Sequence, residues 1–260
     1  MNDLLNATLL GIVEGLTEFL PISSTGHLLI AEHWLGERSE LFNVAIQSGA
    51  ILASVVVFWP RLMTLVFGLK ERANRDYLAK LVVAFLLTAA GGLIAKKLGF
   101  ELPQTVAPVA GALIIGGVIM LLIEGILSGR APVAEATWSV AVWVGLCQIL
   151  AAVFPGTSRS AATIFAAMLA GMTARPAATE FAFLVGIPTM FAATGYEFLK
   201  AHGATSVHEN WSALVVAFVV SAVVAFIAVR WLLRYVQTHR FTAFAWYRIV
   251  AGIALLAFVR

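Results

Sequence analysis

Residues 14–27, EGLTEFLPISSTGH, place two carboxylates, four hydroxyls and an imidazole in a chain that is otherwise mostly apolar. Glu14 and Glu18 stand four residues apart, so on a helix they stack on one face. Two carboxylates one turn apart can hold a hard cation through oxygen ligands. Alternatively, one acts as a base while the other tunes its pKa. A wetted stripe on an amphipathic helix is the simpler reading, but the surrounding residues are apolar and no basic residue lies at helical spacing. Carboxylates at membrane depth are costly unless paired or hydrated, which makes these two functional candidates.

After them Pro21 ends the helix and SSTGH begins the next. Ser23 or Ser24 sits where an N-cap belongs, leaving free N–H groups and the positive dipole end at the break. Such an end binds phosphate readily. His27 follows Ser24 by three residues, and a serine with a histidine and a carboxylate nearby outlines an activated nucleophile. A capped turn with a satisfied interfacial histidine has the same spacing.

A second polar run, FPGTSRSAAT at 154–163, supplies what the first lacks. Pro155 and Gly156 turn the chain, Thr157 or Ser158 can cap the next helix, and Arg159 falls in its first turn. A cation there opposes the helix dipole, so Arg159 needs an anion, and its planar fork suits phosphate or carboxylate. A salt bridge to Glu14 or Glu18 is the simpler reading, and it is compatible with holding an empty site. Thr163, four residues on, shares its face.

The elements that must position these groups are membrane helices. Of 260 residues, 61% are hydrophobic and 12% charged, with a mean hydropathy of +0.93. Soluble domains sit nearer half apolar and a quarter charged. A net charge of +3 without a Lys/Arg run argues against nucleic acid, and a pI near 9.2 fits cationic loops beside anionic lipid. The lone Cys147 excludes an internal disulfide and a cysteine metal cluster. Asp3 and the interrupting Glu14 and Glu18 argue against a cleaved signal peptide, so the first helix is expected to stay.

Six stretches are long enough to span the hydrocarbon core: 41–59, 80–99, 105–127, 178–199, 211–233 and 242–259. The segments between them, WPRLMTLVFGLKERANRDY among them, read as polar punctuation. Regions 5–34 and 138–171 instead each read as a short apolar helix, a Pro- and hydroxyl-rich break, and a second short helix. Breaks at membrane depth are tolerated where they are packed in protein or line a cavity. Both regions are therefore expected to be re-entrant helix–loop–helix hairpins.

An internal repeat supports this. At a constant offset of 134 residues (11 to 145, 21 to 155), Gly11 meets Gly145, Glu14 meets Gln148, Pro21 meets Pro155 and Ser24 meets Ser158. Each half holds one hairpin and three crossings, and an odd number of crossings inverts the second half. The expected fold is a single all-α membrane domain over 1–260, an inverted-topology repeat with six transmembrane helices and two re-entrant hairpins. Repeat one covers about 1–128 and repeat two about 135–260.

On the N-terminal side lie Arg38, Lys96, Lys97, Lys200 and Arg260; the other side carries ten Lys and Arg residues, among them Arg61, Lys70, Arg72, Arg75 and Arg240. The positive-inside rule makes the second side cytoplasmic, placing both termini and the mouth of the first hairpin outside. Glu124 and Glu180, near span ends, read as interfacial, and Arg248, inside the last span, as half of a buried structural pair.

Together, EGLTEFLPISSTGH and PGTSRSAAT closely resemble the undecaprenyl-diphosphate phosphatase family, the bacitracin-resistance type of integral membrane phosphatase. The resemblance covers essentially the whole chain. It implies hydrolysis of C55 polyprenyl diphosphate to the monophosphate and inorganic phosphate, recycling the cell-wall lipid carrier and conferring bacitracin resistance. It also implies a divalent cation, Mg²⁺ or Ca²⁺, and a place in the inner (plasma) membrane. Glu14, Glu18, Ser24, Thr25, His27, Ser158, Arg159 and Thr163 match the family's active-site positions; Ala161 departs, standing where many members have Gly.

The expected roles follow. Glu14 and Glu18 hold the cation, and Arg159 with the two helix starts (Ser23, Thr25, Gly156, Thr157, Ser158, and Thr163 beside them) holds the phosphates. Ser24 attacks, with His27 as its base or as acid to the leaving oxygen, and water activated by a glutamate or His27 is the variant. The partners are the lipid substrate and membrane lipid, with no nucleic acid, and a homodimer is compatible with the chain. A flippase of the polyprenyl phosphate is the rival reading, since fold does not settle function.

Overall fold

The computed structural model describes residues 3–100, 105–202 and 210–258. Among them there are eleven helices and no strand: α1 (Asp3–Thr17), α2 (Ser24–Leu35), α3 (Glu40–Val57), α4 (Trp59–Phe67), α5 (Arg72–Lys97), α6 (Val106–Ile126), α7 (Trp138–Val153), α8 (Arg159–Leu169), α9 (Arg175–His202), α10 (Trp211–Thr238) and α11 (Thr242–Phe258). Each expected span coincides with a helix. Five of them, α3, α5, α6, α9 and α10, are long and apolar enough to cross a membrane. The sixth, α11, has 17 described residues, or about 26 Å at 1.5 Å per residue.

The polar stretch after the first span is not a loop. It contains α4, which begins with Pro60 in its first turn, where a missing N–H costs nothing. Leu65 is buried while Trp59 and Phe67 stay exposed. Helix α5 starts at Arg72, earlier than expected, because Asp76 and Lys80 form an i,i+4 ion pair that supports its opening turns. Lys80 also sits over the Trp138 ring.

Polar contacts mark the two ends of the bundle. At the first, Arg38 pairs with Asp3 at 2.7 Å, Asn6 Nδ2 donates to the Leu35 carbonyl at 2.8 Å, and Asn210 Nδ2 donates to Asp3 at 2.7 Å. Hairpin α1–α2 therefore starts and finishes there. At the second, Arg61 pairs with Glu180 at 2.9 Å, Arg175 pairs with Glu124, and Thr173 Oγ1 donates to the Ala131 carbonyl at 2.8 Å. Hairpin α7–α8 starts and finishes at that end. Glu124 and Glu180 are thus ion-paired rather than merely interfacial. Of the cations counted above, Arg260 and the Lys200 side chain lie outside the described residues.

Gly11 and Gly145, matched in sequence, do the same work in packing. A Cβ on Gly11 of α1 would lie 2.5 Å from the Ala217 carbonyl oxygen of α10, and one on Gly145 of α7 would lie 2.8 Å from the Ala84 carbonyl oxygen of α5. Small residues let membrane helices approach this closely. Alanine at either position is expected to destabilise the protein by about 1–3 kcal/mol through overpacking. The midpoint of thermal unfolding in detergent measures it, and an unchanged midpoint for both variants would refute the close packing.

Candidate active site

The two breaks are built alike. Ser23 (φ 72°, ψ 100°) and Ser158 (φ 67°, ψ 108°) are the only non-glycine residues with positive φ among the described residues. Each is an N-cap: Ser23 Oγ accepts from Gly26 N at 3.4 Å and Ser158 Oγ from Ala161 N at 3.3 Å. Left-handed backbone in a non-glycine residue costs of order 1–3 kcal/mol and concentrates at functional sites. The backbone therefore pairs Ser23 with Ser158, whereas gapless sequence matching pairs Ser24 with Ser158. The first break is one residue shorter after its proline than the second.

The tips meet across a short polar chain. Arg159 donates to Glu18 Oε1 in an ion pair, and Ser24 Oγ donates to Glu18 Oε2 at 2.5 Å. Ser160 Oγ donates to the Leu20 carbonyl at 3.0 Å and lies 3.0 Å from Ser158 Oγ. Glu18 keeps the helical bond from its N–H to the Glu14 carbonyl, 2.9 Å, so the carboxylates stack one turn apart. A cavity of about 230 Å³ opens over this chain, lined by Glu18, Ser23, Ser24, Thr25, Gly156, Ser158 and Arg159. Gln47, Thr88, Gln148 and Thr189 complete its polar wall.

The other expected site residues lie around it. Thr163 spends its hydroxyl on its own helix, at 2.8 Å from the Arg159 carbonyl and 3.2 Å from that of Ser160. Thr157 supplies a turn, its N–H donating to the Phe154 carbonyl at 3.2 Å. Glu14 is buried, and its Oε2 has no hydrogen-bond partner among the described residues.

Neither ring nitrogen of His27 is engaged with Ser24. Its Nδ1 lies 2.7 Å from the Ser23 carbonyl, which can only accept, so Nδ1 carries a proton there. Its Nε2 lies 2.6 Å from the Tyr247 hydroxyl, and the two rings stack at 5.5 Å. In the neutral ring Nε2 accepts from Tyr247. The basic group in contact with Ser24 is Glu18.

Arg248 is fully buried, and among the described residues its partners are carbonyls rather than a carboxylate. Its guanidinium donates to four carbonyls: Ala112 (3.0 Å) and Leu113 (3.4 Å) of α6, Pro21 of the first break (3.3 Å), and Gly156 of the second (3.1 Å). A fork of five donors suits several carbonyls at once. Arg248 thus ties both tips to α6 and α11. Ser160 stands inside PGTSRSAAT with no role assigned to it there, while Tyr247 and Arg248 lie outside both motifs, and only the isolated charge of Arg248 in an apolar run marks it in the sequence.

The site holds two buried carboxylates against one arginine, so a diphosphate entering it adds repulsion that a cation must offset. The residues fit that need. Mg²⁺ is commonly held by one or two carboxylates plus substrate phosphates, and Glu14 offers an unpartnered buried oxygen beside Glu18. Among the described residues, no cluster of three or more His, Cys, Asp or Glu forms a cage that would hold a metal by itself.

The family model described as bacitracin resistance protein BacA matches residues 7–254. The chain is 62% identical over 255 residues to an undecaprenyl-diphosphatase of Rhizobium etli (strain CIAT 652), covering 98% of this chain and 96% of that protein. It is 60% identical over 257 residues to the undecaprenyl-diphosphatase of Stenotrophomonas maltophilia (strain R551-3), and 58% identical over 258 residues to that of Xanthomonas oryzae pv. oryzae (strain PXO99A). Each of these two alignments covers 98% of this chain and 97% of the relative.

Proposed function

The chain belongs to the bacitracin resistance protein BacA family, and from that membership we propose that it hydrolyses undecaprenyl diphosphate to the monophosphate and inorganic phosphate. The observation that carries the reading is the Ser24–Glu18–Arg159 chain joining the two hairpin tips. It provides an oriented nucleophile, a base and a charge clamp, which phosphoryl transfer requires.

Ser24 Oγ attacks the terminal phosphorus and passes its proton to Glu18 Oε2, 2.5 Å away. The bond from that phosphorus to the bridging oxygen breaks, and the polyprenyl monophosphate leaves with that oxygen. Protonation removes the charge that holds Arg159 on Glu18, so the guanidinium turns to the phosphoryl oxygens as their charge develops. Helix N-termini at Ser23 and Ser158 face the same oxygens. Water then attacks the same phosphorus, the bond from phosphorus to Ser24 Oγ breaks, protonated Glu18 returns its proton to that oxygen, and inorganic phosphate leaves with the oxygen and both protons of the water. Glu14, with Glu18 beside it before the proton moves, would hold a divalent cation, which would supply charge neutralisation to the phosphates. His27 holds the Ser23 carbonyl, and hence the nucleophile-bearing turn.

We read the halves as an inverted repeat with re-entrant hairpins, supported by the two hairpins standing at opposite ends and by the matched caps and glycines. The cavity is walled by Gln47, Thr88 and Ala193, each nearer the first end of its helix. With the cationic bias on the second end, that mouth faces outward from the inner membrane, and the prenyl tail stays in the bilayer.

The test is phosphate release from a long-chain prenyl diphosphate by purified protein in detergent, with and without EDTA. Release that EDTA abolishes is the expected result. Absence of release from folded protein would move the reading to a carrier of the polyprenyl phosphate. Ser24→Ala is expected to lose at least ~100-fold in kcat, since a removed nucleophile leaves only positioning and electrostatics. Mass spectrometry of quenched wild-type turnover is expected to find phosphate on Ser24. Full turnover by Ser24→Ala would replace serine attack with attack by water.

A further inference from the structure

We propose that Gln148 contacts the substrate: its side-chain amide donates from Nε2 to a non-bridging oxygen of the terminal phosphate. The inference rests on the phosphatase reading above and adds to that site a residue that no motif marks.

Gln148 lies on α7, the descending arm of the second hairpin, and is 2% exposed. It lines the cavity with Ala151 and Ala152, three and four residues on, so one face of α7 looks into the site with a single polar side chain. Neither Nε2 nor Oε1 has a hydrogen-bond partner among the described residues. Buried amides are almost always paired, so an amide unsatisfied at both ends calls for an explanation.

Three hydroxyls of the same wall have their protons committed elsewhere. Thr88 Oγ1 donates to the Ala84 and Gly145 carbonyls at 2.9 and 3.0 Å, and Thr189 Oγ1 to the Val185 carbonyl at 2.9 Å. Ser24 donates to Glu18. Two of the side chains with unpartnered buried atoms among the described residues, Glu14 one turn before Glu18 and Gln148 in the cavity wall, are residues that the internal repeat superposes. The two are nearly isosteric and differ in charge. The carboxylate suits a cation, and the amide, with two N–H donors and no negative charge, suits the anion that accompanies it. A diphosphate between the hairpins meets one from each side.

The experiment compares Gln148→Met and Gln148→Glu with wild type in phosphate release, in inhibition by inorganic pyrophosphate, and in thermal stability. Methionine keeps the volume and removes both unpaired polar atoms, so the expected unfolding midpoint is unchanged or raised. Its kcat/KM is expected to fall by roughly 10- to 100-fold, as for a lost hydrogen bond to a charged group. Pyrophosphate inhibition should weaken in parallel. Glutamate adds a third carboxylate and should weaken both further. A Gln148→Met protein with wild-type kcat/KM and wild-type pyrophosphate inhibition overturns the proposal and makes Gln148 a packing residue. A wild-type protein that releases no phosphate refutes the underlying reading instead; pyrophosphate binding by equilibrium dialysis then decides Gln148 separately, with unaltered binding by Gln148→Met overturning it.

Discussion

Arg248→Met is expected to abolish phosphate release and to lower stability by several kcal/mol at once. The guanidinium is fully buried and satisfies four carbonyls belonging to α6 and to both hairpin breaks. Methionine fills part of the volume and leaves the Pro21 and Gly156 carbonyls without their donor, each at a cost of about 1–3 kcal/mol, while the Ala112 and Leu113 carbonyls keep their bonds within α6. Against a total stability of about 5–15 kcal/mol, that is a large loss. Activity falls for a second reason. Pro21 and Gly156 lead into the capped turns that aim Ser24 and Arg159, and a misplacement of ~1 Å at a reacting group costs of order 100-fold. Arg248→Lys keeps the charge with three donors on one point, so it cannot reach all four carbonyls. It should fold better than the methionine variant yet remain well below wild type in kcat. Unfolding midpoint and phosphate release, measured together in detergent, check both parts. Wild-type values for Arg248→Met in both would show that the tips are held by something else.

Arg159→Ala is expected to lose more activity than stability. The Arg159 side chain is 26% exposed at the cavity, so its removal opens space without burying an orphan of its own. Glu18 loses its partner but keeps the Ser24 hydroxyl. The charge developing on the phosphoryl oxygens then lacks its clamp, which costs on the order of 100- to 1000-fold in kcat or more. Arg159→Lys restores a charge but not the two-pronged geometry, and is expected to recover only part of the loss. Phosphate release at saturating substrate measures the effect. If Arg159→Ala retained wild-type kcat with only a raised KM, Arg159 would hold substrate without stabilising the transition state.

Much of this molecule is legible in one dimension because two signals are strong. Uninterrupted apolar runs of about 20 residues predict spans, and all six of those expected became helices. Proline with hydroxyls inside such runs predicts breaks, and both regions broke where expected, between Thr17 and Ser24 and between Val153 and Arg159. Helix α4 escaped notice because nine residues of mixed polarity resemble a loop until Leu65 finds a core.

By itself the sequence determined residue types and local order: two carboxylates a turn apart, a serine cap, an arginine at a helix start, and a 134-residue repeat that implied their meeting (14 to 148). Which atoms face which depends instead on how the helices pack. Spacing placed His27 near Ser24, but the positive-φ turn at Ser23 points the ring to the Ser23 carbonyl and Tyr247, 220 residues away, and leaves Ser24 to Glu18. Arg248 implied an acidic partner, and four backbone carbonyls took that place. Side-chain partners across 90 residues or more depend on the orientation of packed helices, and no local propensity records it. Gln148 was visible only as the repeat partner of Glu14 until packing showed its amide buried and unpaired at the cavity wall.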